Sequence, residues 1–227
     1  MKNGKTELRR FALRMLGGMA GAVALGTALP KPVGVESAHW SGLAADVAWL
    51  QLNLAWEQRD EPAVRMLMRW TLAAAPQVGY FRVNSARITA YDFPAWREQA
   101  QPLAPAAVVA RWRVQAADEA TGLLLAGGKD DPALWLEAAN IALYAAGDPD
   151  LAAQRYRKAA ELPGAPWHAG RVHAQLLREL GREREALDWL RGWAPKLPAD
   201  DPAAQRDLVL ARIAELEQGL RDSGEPL

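Results

Sequence analysis

The sequence contains no cysteine, which excludes disulfide scaffolds, iron–sulfur clusters, thiol nucleophiles and thiolate-bound zinc. Histidine is sparse: His39, His168 and His173 are the only three. His168 and His173 lie five residues apart on an expected helix and so face different sides, whereas metal-binding pairs stand three or four apart. There is no HExxH, no G-x-S-x-G and no glycine-rich phosphate loop. An excess of one charge is also missing, with 27 basic residues against 27 acidic ones. That balance argues against nucleic acid as the partner, since phosphate-binding domains carry surplus Lys and Arg. Isoleucine and threonine are scarce, and no stretch sustains period-two alternation, so strands are not expected. No residue is put forward as catalytic, and no metal, cofactor or small-molecule substrate is expected.

What is abundant is alanine and leucine, which favour helices, together with ten tryptophans suited to helix packing or to a binding surface. The N-terminus has a different composition. Lys2, Lys5, Arg9, Arg10 and Arg14 stand against a single acid, Glu7, and an uncharged run from Met15 to Leu29 follows. A basic region before an apolar stretch of this length is the layout of a secretory signal. Residues 1–29 are therefore expected to be a signal peptide or a membrane anchor that places the rest of the chain on the far side of the bacterial inner membrane, in the periplasm. Arg9-Arg10 before Phe11, Ala12 and Leu13 resembles a twin-arginine export signal in loose form, departing from it at Ala12. Residues 30–39, with Pro30-Lys31-Pro32, are expected to be a linker.

From Trp40 onward, helical segments alternate with short Gly, Asp and Pro breaks. Gly147 and Gly181 are 34 residues apart, each ending one helical pattern before the next. Ala152 and Ala186 share that offset, as do Tyr156 and Leu190. An alanine fits where two helix backbones approach, and a large residue one turn later fills the groove to the next unit. Pro163 and Pro198 close the second helices. In the same frame, residues 45–78 form another unit, with Arg59-Asp60 at the turn, Val64 and Met68 at the small and large positions, and Pro76 at the close. Residues 79–91 form a first helix with Ala86 at the close approach. Asp92 to Pro105 is read as irregular, and a long helix from Ala106 to Ala126 offers Ala120 and Leu124 as the small–large pair. Asp201-Pro202 is expected to open a capping helix over 201–221, with Val209, Ile213, Leu216 and Leu220 as its apolar stripe and 222–227 as a frayed tail. Gly127-Gly128-Lys129 is expected to be a helix C-cap running into Asp130-Asp131-Pro132, and Asp130-Asp131 and Asp200-Asp201 helix N-termini.

A 34-residue helix–turn–helix period with these residue types resembles the tetratricopeptide family over residues 40–200. The resemblance implies an all-α superhelical solenoid, a protein-interaction scaffold, and a concave face lined by the first helix of each unit. Carried onto this sequence, that face presents Trp49, Asn53 and Trp56, then Tyr80, Arg87 and the neighbouring Tyr91. It continues with Glu137, Ile141 and Tyr144, and then with His168, Arg171, Gln175 and Arg178. The partner so implied is a protein or peptide, with membrane contact only through the N-terminal segment. A structural subunit of an envelope or secretion assembly is the second expectation, and a helical glycan-processing enzyme the third.

Overall fold

Aspartate and proline set the helix starts. Asp60, Asp131 and Asp148 each precede a first turn that contains proline, and their carboxylates accept from the main-chain N–H groups of Ala63, Ala133 and Leu151 at 3.1, 2.8 and 2.9 Å. These bonds satisfy N–H groups that have no partner inside the helix, and the proline preorganises the turn. The computed structural model describes residues 36–223, with side chains from residue 42 onward. The expected targeting segment 1–29 and residues 224–227 lie outside the described residues.

Among the described residues every regular element is helical and no strand occurs. Helix α1 is Glu36–Glu57, so it begins inside the stretch expected as a linker, and α2 is Glu61–Ala74. Next, α3 (Gly79–Arg87) runs through a π-helical turn, Ile88–Asp92, into α4 (Phe93–Ala100), and α5 is Ala106–Leu125. A second π-helical turn, Ile141–Ala146, extends α6 (Pro132–Asn140), and α7 (Pro149–Ala160), α8 (His168–Glu179) and α9 (Glu183–Trp193) follow. The last element is α10, Arg206–Asp222. No described helix is long and apolar enough to cross a membrane. From residue 45 to residue 223 the described chain belongs to one compact unit, in which the main helix contacts join successive elements, while α5 backs α3, α4 and α6 together.

The small–large pairs lie where the helices meet. Val64 and Met68, Ala120 and Leu124, Ala152 and Tyr156, and Ala186 and Leu190 are all buried, as is Ala86. Leu52, Val64, Met68 and Phe93 form one cluster, and the α5–α6 contact is filled by Ala120, Leu124, Ala138 and Ile141. Between α8 and α9 the approach is closest at Gly170, where a Cβ would stand 2.5 Å from the Trp193 ring. The ring nitrogen of Trp189 donates to the Gly170 carbonyl at 2.9 Å.

The stretch Asp92 to Pro105 is more regular than its sequence suggests. Proline inside a helix lacks an N–H and clashes with the carbonyl four residues back. Here the turn before Pro94 is widened, with the Phe93 N–H donating to the Ile88 carbonyl five residues back. Helix α3 thereby continues as α4, leaving only residues 101–105 between it and α5. At the C-terminal end, Asp201 caps Ala203 at 2.8 Å as expected. However, Pro202–Ala204 form a separate 3-10 turn, Gln205 is left-handed, and α10 starts at Arg206. Arg171 occupies the Ala203 and Ala204 carbonyls from the side, at 3.3 and 2.9 Å. Gly127 and Gly128 donate to Leu124 and Leu125 carbonyls, which makes them the cap of α5.

Three turns between paired helices use the left-handed region at matching positions: Arg59 (φ 54°), Gly147 (φ 69°) and Gly181 (φ 72°). Only the arginine has a Cβ to strain there. Arg59→Gly is expected to stabilise the chain by about 0.5–1 kcal/mol, and Gly147→Ala or Gly181→Ala to destabilise it by about 1 kcal/mol, read as shifts of the urea midpoint.

His173 is buried on α8, its Nδ1 2.8 Å from the Ala153 carbonyl and its ring edge-on to Trp189 at 4.7 Å. Burial depresses its pKa from the ordinary 6.5, which outweighs the bond to Ala153. The unfolded chain therefore takes up this proton first. Its contribution to stability is complete above the unfolded pKa of 6.5 and is lost as pH falls below that through the depressed folded pKa. His173→Gln should flatten the pH dependence of the urea midpoint in that window.

Candidate binding grooves

The wide turn after α3 decides which side chains share a face. In a regular helix Asp92 would point about 140° away from Arg87, because each residue advances ~100°. With a π turn between them, Arg87, Tyr91 and Asp92 all line one open groove of about 350 Å³, together with Asn84, Ile88 and Tyr80. Its opposite wall is α1, which supplies Trp49, Asn53 and Trp56 at spacings of four and three. Six residues expected on the concave face are thus brought together here: Trp49, Asn53, Trp56, Tyr80, Arg87 and Tyr91.

Trp49 has two tasks in this groove. Its ring packs on Phe81 at 5.2 Å and edge-on to Tyr80 at 5.9 Å, so it holds α1 to α3 while one side faces the groove. Trp56 leans on Trp96 at 6.3 Å and hydrogen bonds to the Asp92 carboxyl. Burial raises the Asp92 pKa against that hydrogen bond. Tyr80 is 61% exposed, which is far more than a ring used only for packing.

The second wide turn, at the end of α6, touches the first. Just before it, buried Glu137 receives both Nε and Nη2 of Arg87 at 2.7 and 2.8 Å. The two-point bond and burial act on the same pair: Arg87 is held more basic, first by its hydrogen bonds to Glu137. Tyr91 is raised above the usual phenol range by burial and then by the Glu137 charge. Ile141 is buried, whereas Tyr144, on the second wide turn, is 72% exposed and near enough to act on the Tyr91 phenol. Behind them, Tyr156 donates to Asn140 and is pushed up to about 12, first by burial.

The remaining expected residues lie elsewhere. Arg171, Gln175 and Arg178 line a separate groove of about 200 Å³ between α8 and α10. His168 is exposed at the first position of α8 and lines neither groove. A third hollow of about 510 Å³ lies over α7 and α9, beside His173. Its acids are matched with arginines, Glu161 with Arg157 and Glu185 with Arg182 at 2.8 and 2.6 Å. No cluster of metal-ligating side chains occurs among the described residues.

Three lining residues were not anticipated from the sequence: Asn84, Ile88 and Asp92. The family's contact positions assume a regular helix, and the inserted turn moves Asp92 onto the face. The visible signal was Pro94, which a continuous helix tolerates only with such a distortion. Set against known proteins, the chain matches no family model and no curated protein.

Arg87→Ala is expected to cost about 1–2 kcal/mol, because it leaves the buried Glu137 carboxylate without its two donors. The check is a double-mutant cycle with Glu137→Gln, whose coupling should account for most of that loss.

Proposed function

We propose that this chain is a tetratricopeptide-like helical scaffold, exported or membrane-anchored, that binds a protein or peptide partner along the face from Trp49 to Tyr144. The carrying observation is the groove between α1 and α3, where six side chains chosen from repeat positions meet around one opening. Exposed aromatic rings next to an arginine are the residue types that dominate binding energy at protein interfaces. Trp56 and Tyr91 are partly exposed and Tyr80 and Tyr144 largely so, and none is enclosed by the helices it stands on. The buried small–large pairs on α2, α5, α7 and α9 support the repeat reading, and hence a superhelical solenoid. The basic and apolar character of residues 1–29 supports export, with the repeat domain periplasmic.

A second reading is a docking subunit of an envelope assembly. It is favoured by Leu208 and Leu210 on the terminal helix, 52% and 46% exposed, since apolar side chains left open at the end of a repeat suit attachment to another chain.

Both are addressed by crosslinking and recovery from membranes. Tyr80→Ala with Tyr144→Ala removes two exposed rings while Trp49 keeps its contact with buried Phe81, and should cut recovery of the partner about thirtyfold, as for an interface hot spot. Recovery of the same partners by the native and substituted chains sinks the groove reading. Loss instead with Leu210→Ser, which lies outside the grooves, puts the docking reading in its place.

A further inference from the structure

Many of the described arginines are matched with acids. Arg65 pairs with Glu61 and Glu119, Arg97 with Glu61, Arg113 with Glu98, and Arg191 with Glu217. The two on α8 are not. Arg171 donates to the Ala203 and Ala204 carbonyls, and Arg178 to the Gln175 amide oxygen at 3.2 Å. The Arg178 Nε is buried and has no acceptor among the described residues. Burial lowers the Arg171 pKa, with no anion acting against it.

Both arginines line the groove between α8 and α10, and no carboxylate among the described residues lines it with them. They are seven residues apart, which puts them on one face of α8 and about 10 Å apart along its axis. Leu190, Leu208 and Val209 give the groove an apolar floor. Arg212 at its edge is matched with Glu215 at 2.8 Å.

We infer that the α8–α10 groove is a second binding surface, distinct from the aromatic one, built for a peptide segment with two carboxylates about 10 Å apart and apolar side chains between them. Charge complementarity selects the acidic ends, because an anion here meets two cations that no described acid neutralises. The floor selects what lies between, since an apolar side chain laid on Leu190 and Leu208 leaves water where a free phosphate would keep its own. In an extended segment, side chains two or four residues apart share a face and stand ~6.6 or ~13 Å apart, a span that flexible acid side chains bring to that distance.

The test uses the full chain to select from a displayed library of random dodecapeptides, in parallel with Arg178→Gln and with Tyr80→Ala. Native chain and Tyr80→Ala should both enrich peptides with paired acids flanking apolar residues, and Arg178→Gln should not. For a synthetic peptide from the enriched pool, Arg178→Gln should weaken binding about tenfold, and Glu→Gln in the peptide should do the same with the protein unaltered. Enrichment of peptides without acids overturns the inference. So does an acidic peptide whose affinity ignores both substitutions, or one displaced equally well by an oligonucleotide of the same charge. Because Tyr80→Ala leaves this groove intact, loss of the aromatic-groove partner in that variant bears only on the proposed function.

Discussion

How closely two helix backbones can approach governs this molecule. Wherever successive helices cross, the side chain at the crossing is small: Val64, Ala86, Ala120, Ala152, Ala186, and Gly170 against Trp193. Buried alanine removes little apolar surface from water, so these residues contribute through the contact distance they permit. Close crossing lets the few large side chains, such as Leu52, Phe93, Leu124, Ile141 and Leu187, seal the remaining space completely. The positions of the groove walls follow from that spacing. Trp49 meets Tyr80 and Phe81 only because α1 and α3 lie near enough for one indole to reach both.

On this frame the two wide turns act as register shifts. The first adds a residue to a helix without breaking it, the second widens the last turn of α6 before Gly147, and the two turns touch. Distortions of this kind are frequent at functional sites because they re-aim side chains on an otherwise rigid element. Here the effect is concrete, since Asp92 joins Arg87 on the groove side, while Glu137 reaches Arg87 from α6. The Arg87–Glu137 bond ties the two shifted helices directly, across the helix α5 that backs them both.

The all-helical class, the breaks between helices and the small–large pairs could be read from residue spacing, because alanine and glycine recurring every 34 residues fit paired helices and little else. The α1 and α3 residues that share a groove came instead from the contact positions of the family the spacing resembles, and the structure brings them around one opening. Asp92 was not, since its place depends on a turn of five residues that no periodicity announces. The start of α10 was missed because a side chain from α8, Arg171, takes carbonyls that a continuous helix would have used. Long-range hydrogen bonds of that kind leave no trace in local sequence. His168 shows the opposite limit, because a repeat position places a residue on a helix without bringing it into a groove.

Packing that joins mainly successive helices has a consequence for how the chain comes apart. In a globular core every element is held by many others, and removing one releases all. From α6 to α9 each helix is held chiefly by the one before and the one after, so this stretch resembles the zipping of a row more than the closing of a box, whereas α5 ties α3, α4 and α6 into one block. The contacts are short in sequence, which favours rapid assembly. A lesion between α6 and α9 should therefore be felt first by its immediate neighbours in the row, while one in α5 reaches three helices at once.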